Sequence, residues 1–306
     1  MGYFLAGLLI LAILWYVISA LRPRGEAPQV ESADDVTACP VRLTLLTVAP
    51  LQIDPQRLIA DYQALWDESL ACAHTGPPDA PLTYRLSTGE QTLWLTLLDE
   101  PLPPGDSAML GATSPRLRDA DHDALGAHTA SAVLHYRQLR NACPAQGTFV
   151  VKALHALLRD PDVLGYVATS ALRYVSRAAV DGVCAEHDPL SPVALYLLFV
   201  NTMREETADG RRWLHTHGLE QFGLPELHLF PDDGDDADDA EIILANTAIY
   251  SLTNGPVLQP GQTAELAGDG ALFDIRRFPN GALGHDGLCG MLLLVKHGAA
   301  PVAEWV

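Results

Sequence analysis

The chain has 306 residues, 48% of them hydrophobic, and sets 19 Lys and Arg against 38 Asp and Glu for a formal net charge of −19. So acidic a chain repels phosphate backbones, which excludes nucleic acid as a partner; a basic protein partner or a plain solvated surface remains as the reading of the charge. Its 5 cysteines are odd in number and scattered without a CxxC pair, which excludes a disulfide framework and suits a reducing compartment.

Residues 3–21 carry no charged side chain, and Leu, Ile, Ala, Phe, Trp and Val fill nearly every place. As a helix this run spans about 28 Å, close to the hydrocarbon thickness of a bilayer. Trp15 and Tyr16 approach one end, and Arg22 and Arg24 follow at once. A cleaved signal peptide is the alternative, but it requires a charged n-region and small residues before the cleavage site, and Ile18 stands two places before Ala20. The reading is an uncleaved single-pass anchor over residues 1–22 in a cell inner membrane, in contact with the bilayer through residues 3–21. The cationic flank places the following domain in the cytoplasm. Residues 23–40, dominated by Pro, Glu, Asp, Ala and Ser, read as a flexible linker.

Residues 41–306 read as the folded domain, divisible into subdomains 41–205 and 206–306. An apolar, β-branched run over 42–48 predicts a strand, and Asp54-Pro55 opens a helix that runs to Asp67. Residues 76–81 form a Pro-rich loop, and 82–87 with 91–98 form a hairpin around Thr88, Gly89 and Glu90. A strand over 130–137 and a helix over 147–159 follow; Asp160-Pro161 stops that helix. Residues 164–175 are β-compatible at their start. Ser114-Pro115 and Ser191-Pro192 read as plain turns, and 193–200 as buried core, strand or helix undecided. Strands are predicted at 212–217 and 226–230, joined by a turn over 218–225. An acidic run over 232–241 leads into a helix that begins near Asp238 and ends at Asn254-Gly255. Short strands close the chain at 264–266, 272–276 and 291–296. Irregular alternation with hairpins gives the fold class α+β, with mixed or antiparallel sheets and packed helices behind the single transmembrane helix.

The string WLHTHGLEQFGLPELHL at 213–229 resembles a signature of a bacterial family, domain of unknown function 4261. The likeness continues through AEIILANTAIY at 240–250 and GPVLQPGQT at 255–263. The strand, helix and hairpin of 42–104, the strand from Ala130, the helix at Val150 and LGYVA at 164–168 are also similar, so the resemblance spans 42–297. It implies an α+β domain without an established activity, and hence no catalytic residues to carry over; the anchor departs from the usual soluble member. The residues give the string a structural reading. Gly218 and Gly223 supply positive φ, Pro225 fixes φ where the chain re-enters a strand before Glu226, and Phe222 anchors the turn.

His215 and His217 are the chemical candidates. At i and i+2 on a strand they share one face and can share a metal ion. A third ligand would come from His228, Glu226, Asp274 or His285; the alternative is a half-buried pair that hydrogen-bonds locally. The acidic run lacks the spacing of an EF-hand loop and reads as a solvated loop with a helix cap. Cys289, near His285, reads as a small buried thiol. The sequence carries no GxSxG, Walker or GxGxxG motif. The functional expectation is a membrane-tethered, non-enzymatic protein-binding module, immunity- or stress-linked, with an unknown protein partner and no cofactor. The alternative is a metal-dependent hydrolase that uses His215 and His217 with a divalent transition metal.

Overall fold

The computed structural model describes residues 41–75, 81–89, 91–103, 105, 110, 119–136, 144–232, 234, 236–267 and 270–298. The anchor at 1–22, the linker at 23–40 and most of the loop at 76–81 lie outside these residues. Among the described residues no helix is long and apolar enough to cross a membrane.

The first sheet has seven strands, all antiparallel: β1 (Val41–Thr47), β2 (Ala71–Thr75), β3 (Thr83–Thr88), β4 (Gln91–Leu98), β5 (Ala130–Tyr136), β6 (Val163–Ala168) and β7 (Arg173–Ser176), in the order β2-β3-β4-β5-β1-β6-β7. Helices α1 (Pro55–Trp66) and α3 (Pro144–Leu157) pack together, and their side chains join one apolar cluster with Leu43, Leu45, Leu93 and Leu95 of the sheet. The Asp54 carboxylate accepts from the N–H groups of Gln56 and Arg57, so the expected cap is present. Tyr62 meets Phe149 edge to face at 6.4 Å, and Trp66 Nε1 donates to the Lys152 carbonyl at 3.1 Å. On the opposite face, α2 (Asp119–Ala127) covers a small cluster of Leu46, Leu125, Val167 and Tyr174.

The second sheet holds β8 (Asn201–Glu206), β9 (Arg212–His217), β10 (Glu226–Leu229), β11 (Thr263–Glu265), β12 (Leu272–Arg277) and β13 (Met291–Lys296), in the order β11-β12-β13-β10-β9-β8. Only the β10–β13 pair is parallel, so this sheet is mixed. The inward residues Leu214, Leu227, Ile275, Leu292 and Leu294 pack with Ala240, Leu244 and Ala248 of α6 (Ala237–Asn254) in the same cluster that fills the first layer. Asp236 caps α6 by accepting from the Asp238 N–H at 2.9 Å, and Gly255 closes it. Six α-helices lie among the described residues, and the α+β class is as expected.

Three local readings need correction. Ser191-Pro192 is no plain turn: the Ser191 hydroxyl accepts from the Ala194 N–H at 3.2 Å and Pro192 begins α5 (Pro192–Phe199), which settles 193–199 as helix with Val200 as its extended C-cap. Residues 71–75 form β2, an edge strand whose Ala-rich, mostly exposed sequence lacks an alternating apolar pattern. Helix α4 (Arg177–Glu186), capped by Ser176, went unpredicted because its buried face is built of Ala, Val and Cys rather than large side chains.

The turn after β9 is a 3-10 segment, Leu219–Phe222, with Gly218 at φ 109° and Gly223 at φ 71° on either side. Both positive φ values were expected. At Gly218 a Cβ would also stand 2.2 Å from the Phe199 carbonyl oxygen. At Gly223 the left-handed backbone by itself sets an expected cost of about 1–2 kcal/mol for Gly223→Ala. Gly218→Ala is expected to cost more than about 3 kcal/mol, because a backbone carbonyl must also move. Urea denaturation of both variants checks the ranking; equal losses would remove the steric argument.

Candidate functional site

The outer face of the second sheet carries the site. Alternation along β9 puts Leu214 in the main core and sends Trp213, His215 and His217 to the other side. Pairing of β10 with β9 sets His228 opposite His215. The segment 278–290 lies over this face, and Phe278 joins Trp213, Met291, Leu293 and Val295 in a second small apolar cluster. That segment delivers His285. It is fixed by Phe278 N–H to the Met291 carbonyl at 3.0 Å, Gly281 N–H to the His285 carbonyl at 2.8 Å, and Leu288 N–H to the Glu220 carboxylate at 3.3 Å.

Of the four third-ligand candidates, the fold brings in His285. One ring nitrogen each from His215, His217 and His285 lie within 4.8 Å of one another. The ring centroids are 4.8 Å apart for His215–His217, 4.6 Å for His215–His285 and 5.3 Å for His217–His285. Two nitrogens on a tetrahedral ion with bonds near 2.0–2.1 Å stand about 3.4 Å apart, so closing the site takes at most about 1.4 Å, which the loop-borne His285 can supply.

The other three candidates are engaged elsewhere. His228 Nδ1 accepts from Trp213 Nε1 at 3.2 Å, and its ring stacks on Phe278 at 4.2 Å. Glu226 is held by the turn, as described below. Asp274 pairs with His297 at 2.8 Å and Arg276 at 3.6 Å.

His215, His217 and His228 are neutral imidazoles. Burial, reinforced by neighbouring histidines, pushes His215 down to about 2, His228 to about 3 and His217 to about 4. Neutral imidazole is the ligating form. Both nitrogens of His215 and the Nε2 atoms of His217 and His228 are buried without a hydrogen-bond partner among the described residues. A local hydrogen-bonded pair, the alternative reading of 215 and 217, is therefore not what the geometry holds. Orphaned buried nitrogens that converge are the mark of a site built for something else. Trp213 walls the cluster, stacked on His215 at 4.1 Å and edge-on to His285 at 4.7 Å.

Among the described residues, the other chemistry-bearing groups do not converge in this way. The Cys289 thiol, half-buried, is pushed up to about 11 by burial and lies 3.9 Å from the Glu220 carbonyl, so it makes no reactive pair with His285. Cys184 lies 4.0 Å from His155 Nδ1, but burial raises the thiol and lowers the imidazole to about 4, leaving both neutral. In the acidic run, Asp236 is the helix cap and Asp238 pairs with Arg204 at 2.7 Å; Asp233 and Asp235 lie outside the described residues. A cavity of about 370 Å³ opens at the other end of the sheet, lined by Leu229, Phe230, Ile243, Phe273 and Lys296 and by none of the three histidines.

Residues 215–285 match the family model Domain of unknown function (DUF4261). The match opens on His215 and closes on His285, so the two ends of the matched stretch meet in space. It supports the family resemblance for this part of the 42–297 span. Neither the curated proteins nor the solved structures give a significant match.

Inside the matched stretch, Glu226 explains the string. Its carboxylate accepts from the Thr216 hydroxyl at 2.7 Å, the Gly218 N–H at 2.7 Å and the Glu220 N–H at 3.2 Å. Thr216 Oγ1 in turn accepts from the Leu227 N–H at 2.8 Å. Gln221 donates to the Phe199 and Gly218 carbonyls at 3.1 and 3.2 Å, and Phe222 meets Phe199 edge-on at 6.1 Å. Burial pushes Glu226 up to about 7 from its ordinary 4.5, with the three donors pulling against that shift. Between about pH 4.5 and 7 the folded chain therefore keeps a proton that the unfolded chain has released. This contribution to stability is complete below that window and is lost as pH rises through it. Glu226→Gln is expected to match the parent protein near pH 5 and to exceed it by about 1–3 kcal/mol at pH 8. Thermal melts across pH check this; a constant offset would mean the carboxylate is ionised throughout.

Proposed function

We propose that this protein binds a divalent transition-metal ion of the zinc class through His215, His217 and His285. The observation that carries the reading is the convergence of three imidazoles with a ring nitrogen each within 4.8 Å, where both nitrogens of His215 and Nε2 of His217 are buried with no hydrogen-bond partner among the described residues. Three nitrogen ligands leave a fourth coordination position for water, the arrangement of hydrolytic rather than closed structural zinc sites. The ion would supply Lewis acidity and an acidified water at that position. Metal-assisted hydrolysis is thus the reaction class we assign. The chain's own part is to keep His215 and His217 neutral by burial and to cover His215 and His285 with the Trp213 ring. In this reading the apolar segment 3–21 tethers the domain to the inner membrane. The purely protein-binding alternative rests on charge and anchor alone, and the histidine cluster favours the metal over it.

The full-length chain, purified in mild detergent and stripped with chelator, is expected to take up one Zn²⁺ per chain in competition with a chromophoric chelator. His285→Ala and His217→Ala should each weaken binding by at least about 100-fold, since two imidazoles hold the ion far less well than three. At free Zn²⁺ about 100-fold above Kd the parent protein should gain roughly 2.7 kcal/mol of stability, and the variants should not. Unchanged melting and no uptake in the parent protein would overturn the assignment.

A further inference from the structure

We propose that Glu205 belongs to this site as the residue that positions His215: its carboxylate takes the Nε2–H of the imidazole and leaves Nδ1 to face the ion. The inference rests on the metal reading and adds to it which nitrogen does the binding.

The placement follows from strand register. β8 pairs antiparallel with β9, Met203 opposite His215 and Glu205 opposite Trp213, so Glu205 shares the face that bears the histidines. Its Oε1 stands 3.7 Å from His215 Nε2. That is longer than a hydrogen bond by less than about 1 Å. Glu205 is 39% exposed near the end of β8, so its side chain has the freedom to close the gap, whereas His215, 0% exposed, does not.

The two nitrogens of an imidazole point in divergent directions, so one ion cannot take both. A neutral ring carries one N–H, and a fully buried ring has no water to receive it. Around His215 the faces are taken: Trp213 stacks at 4.1 Å, and His228 lies nearly parallel at 5.7 Å. Its edges meet His217 and His285, the other ligands, and Glu205. Among the acids discussed, Glu226 is saturated by Thr216, Gly218 and Glu220, and Asp274 is engaged by His297 and Arg276. Glu205 is the acid in reach. A carboxylate at Nε2 selects the Nε2–H tautomer, frees the Nδ1 lone pair and raises its basicity. The same fold shows the device once more in another form, since the Trp213 indole N–H donates to His228 Nδ1 and selects Nε2–H there.

The test is ¹⁵N-histidine NMR and Zn²⁺ titration of the full-length chain in detergent, as parent protein, Glu205→Ala and Glu205→Gln. In the metal-free parent protein His215 is expected as the Nε2–H tautomer, and with Zn²⁺ its Nδ1 should take the metal-bound shift. Glu205→Ala should mix the tautomers and weaken Zn²⁺ binding about 10–100-fold with melting unchanged. Glu205→Gln, whose carbonyl still accepts the N–H, should restore the tautomer and part of the affinity. A metal-free tautomer insensitive to Glu205→Ala overturns the positioning role, and so does Zn²⁺ on Nε2 or unaltered affinity. A parent protein that takes up no Zn²⁺ sinks the metal assignment, while the metal-free spectra still decide whether Glu205 holds the ring.

Discussion

The Glu226 carboxylate is buried and takes three donors, one from β9 and two from the turn that follows it, and the geometry of the outer face depends on that arrangement. Thr216, one of those donors, sits between His215 and His217. By accepting from the Leu227 N–H it also locks β9 to β10. Because side chains alternate at a period of two, a slip of one residue there would turn both histidines into the main core and Leu214 out of it. The next turn residue, Glu220, reaches through its own carboxylate to the segment bearing His285. One buried acid therefore sets the register of two ligands and the footing of the third.

Burying the imidazoles of His215, His217 and His228 on one face costs free energy unless they stay neutral, and their pKa shifts are that cost expressed in protons. The aromatic wall is what makes the burial possible. Trp213 and Phe278 cover the rings with apolar surface that neither hydrogen-bonds to nor competes for the converging nitrogens, apart from the indole N–H given to His228. Such an arrangement trades folding stability for a ready-made set of electron-pair donors.

Much of this was legible in the sequence. The alternation of Trp213, His215 and His217 identified a strand and a shared histidine face, and Asp54 and Gly255 behave as the caps their chemistry implies. The cap of α6 is instead Asp236, an acid that reads in the sequence as part of the solvated loop before a helix start near Asp238. The third ligand was not legible beyond a choice among four. His285 approaches through a loop with left-handed glycines at 281 and 284, and nothing periodic marks its direction. Glu205 was missed because a charged residue in a run of Arg204, Glu205 and Glu206 looks like solvated surface; only the β8–β9 register shows that it faces a buried ring. β2 and α4 were hidden for a different reason: small side chains bury little area each and leave no periodic signal.

The place of β8 in the sheet has one more consequence. Among the described residues it is the outermost strand on its side, so one row of its backbone N–H and C=O groups has no neighbouring strand there. Such an edge invites pairing with another chain, and flat apolar edges aggregate. Here the exposed half of the strand is Arg204-Glu205-Glu206, with Arg204 drawn back onto Asp238 and Glu241 of α6. Charges along that margin make addition of a further strand unfavourable, so the segment that approaches the histidines also guards the sheet against growth into an intermolecular ribbon.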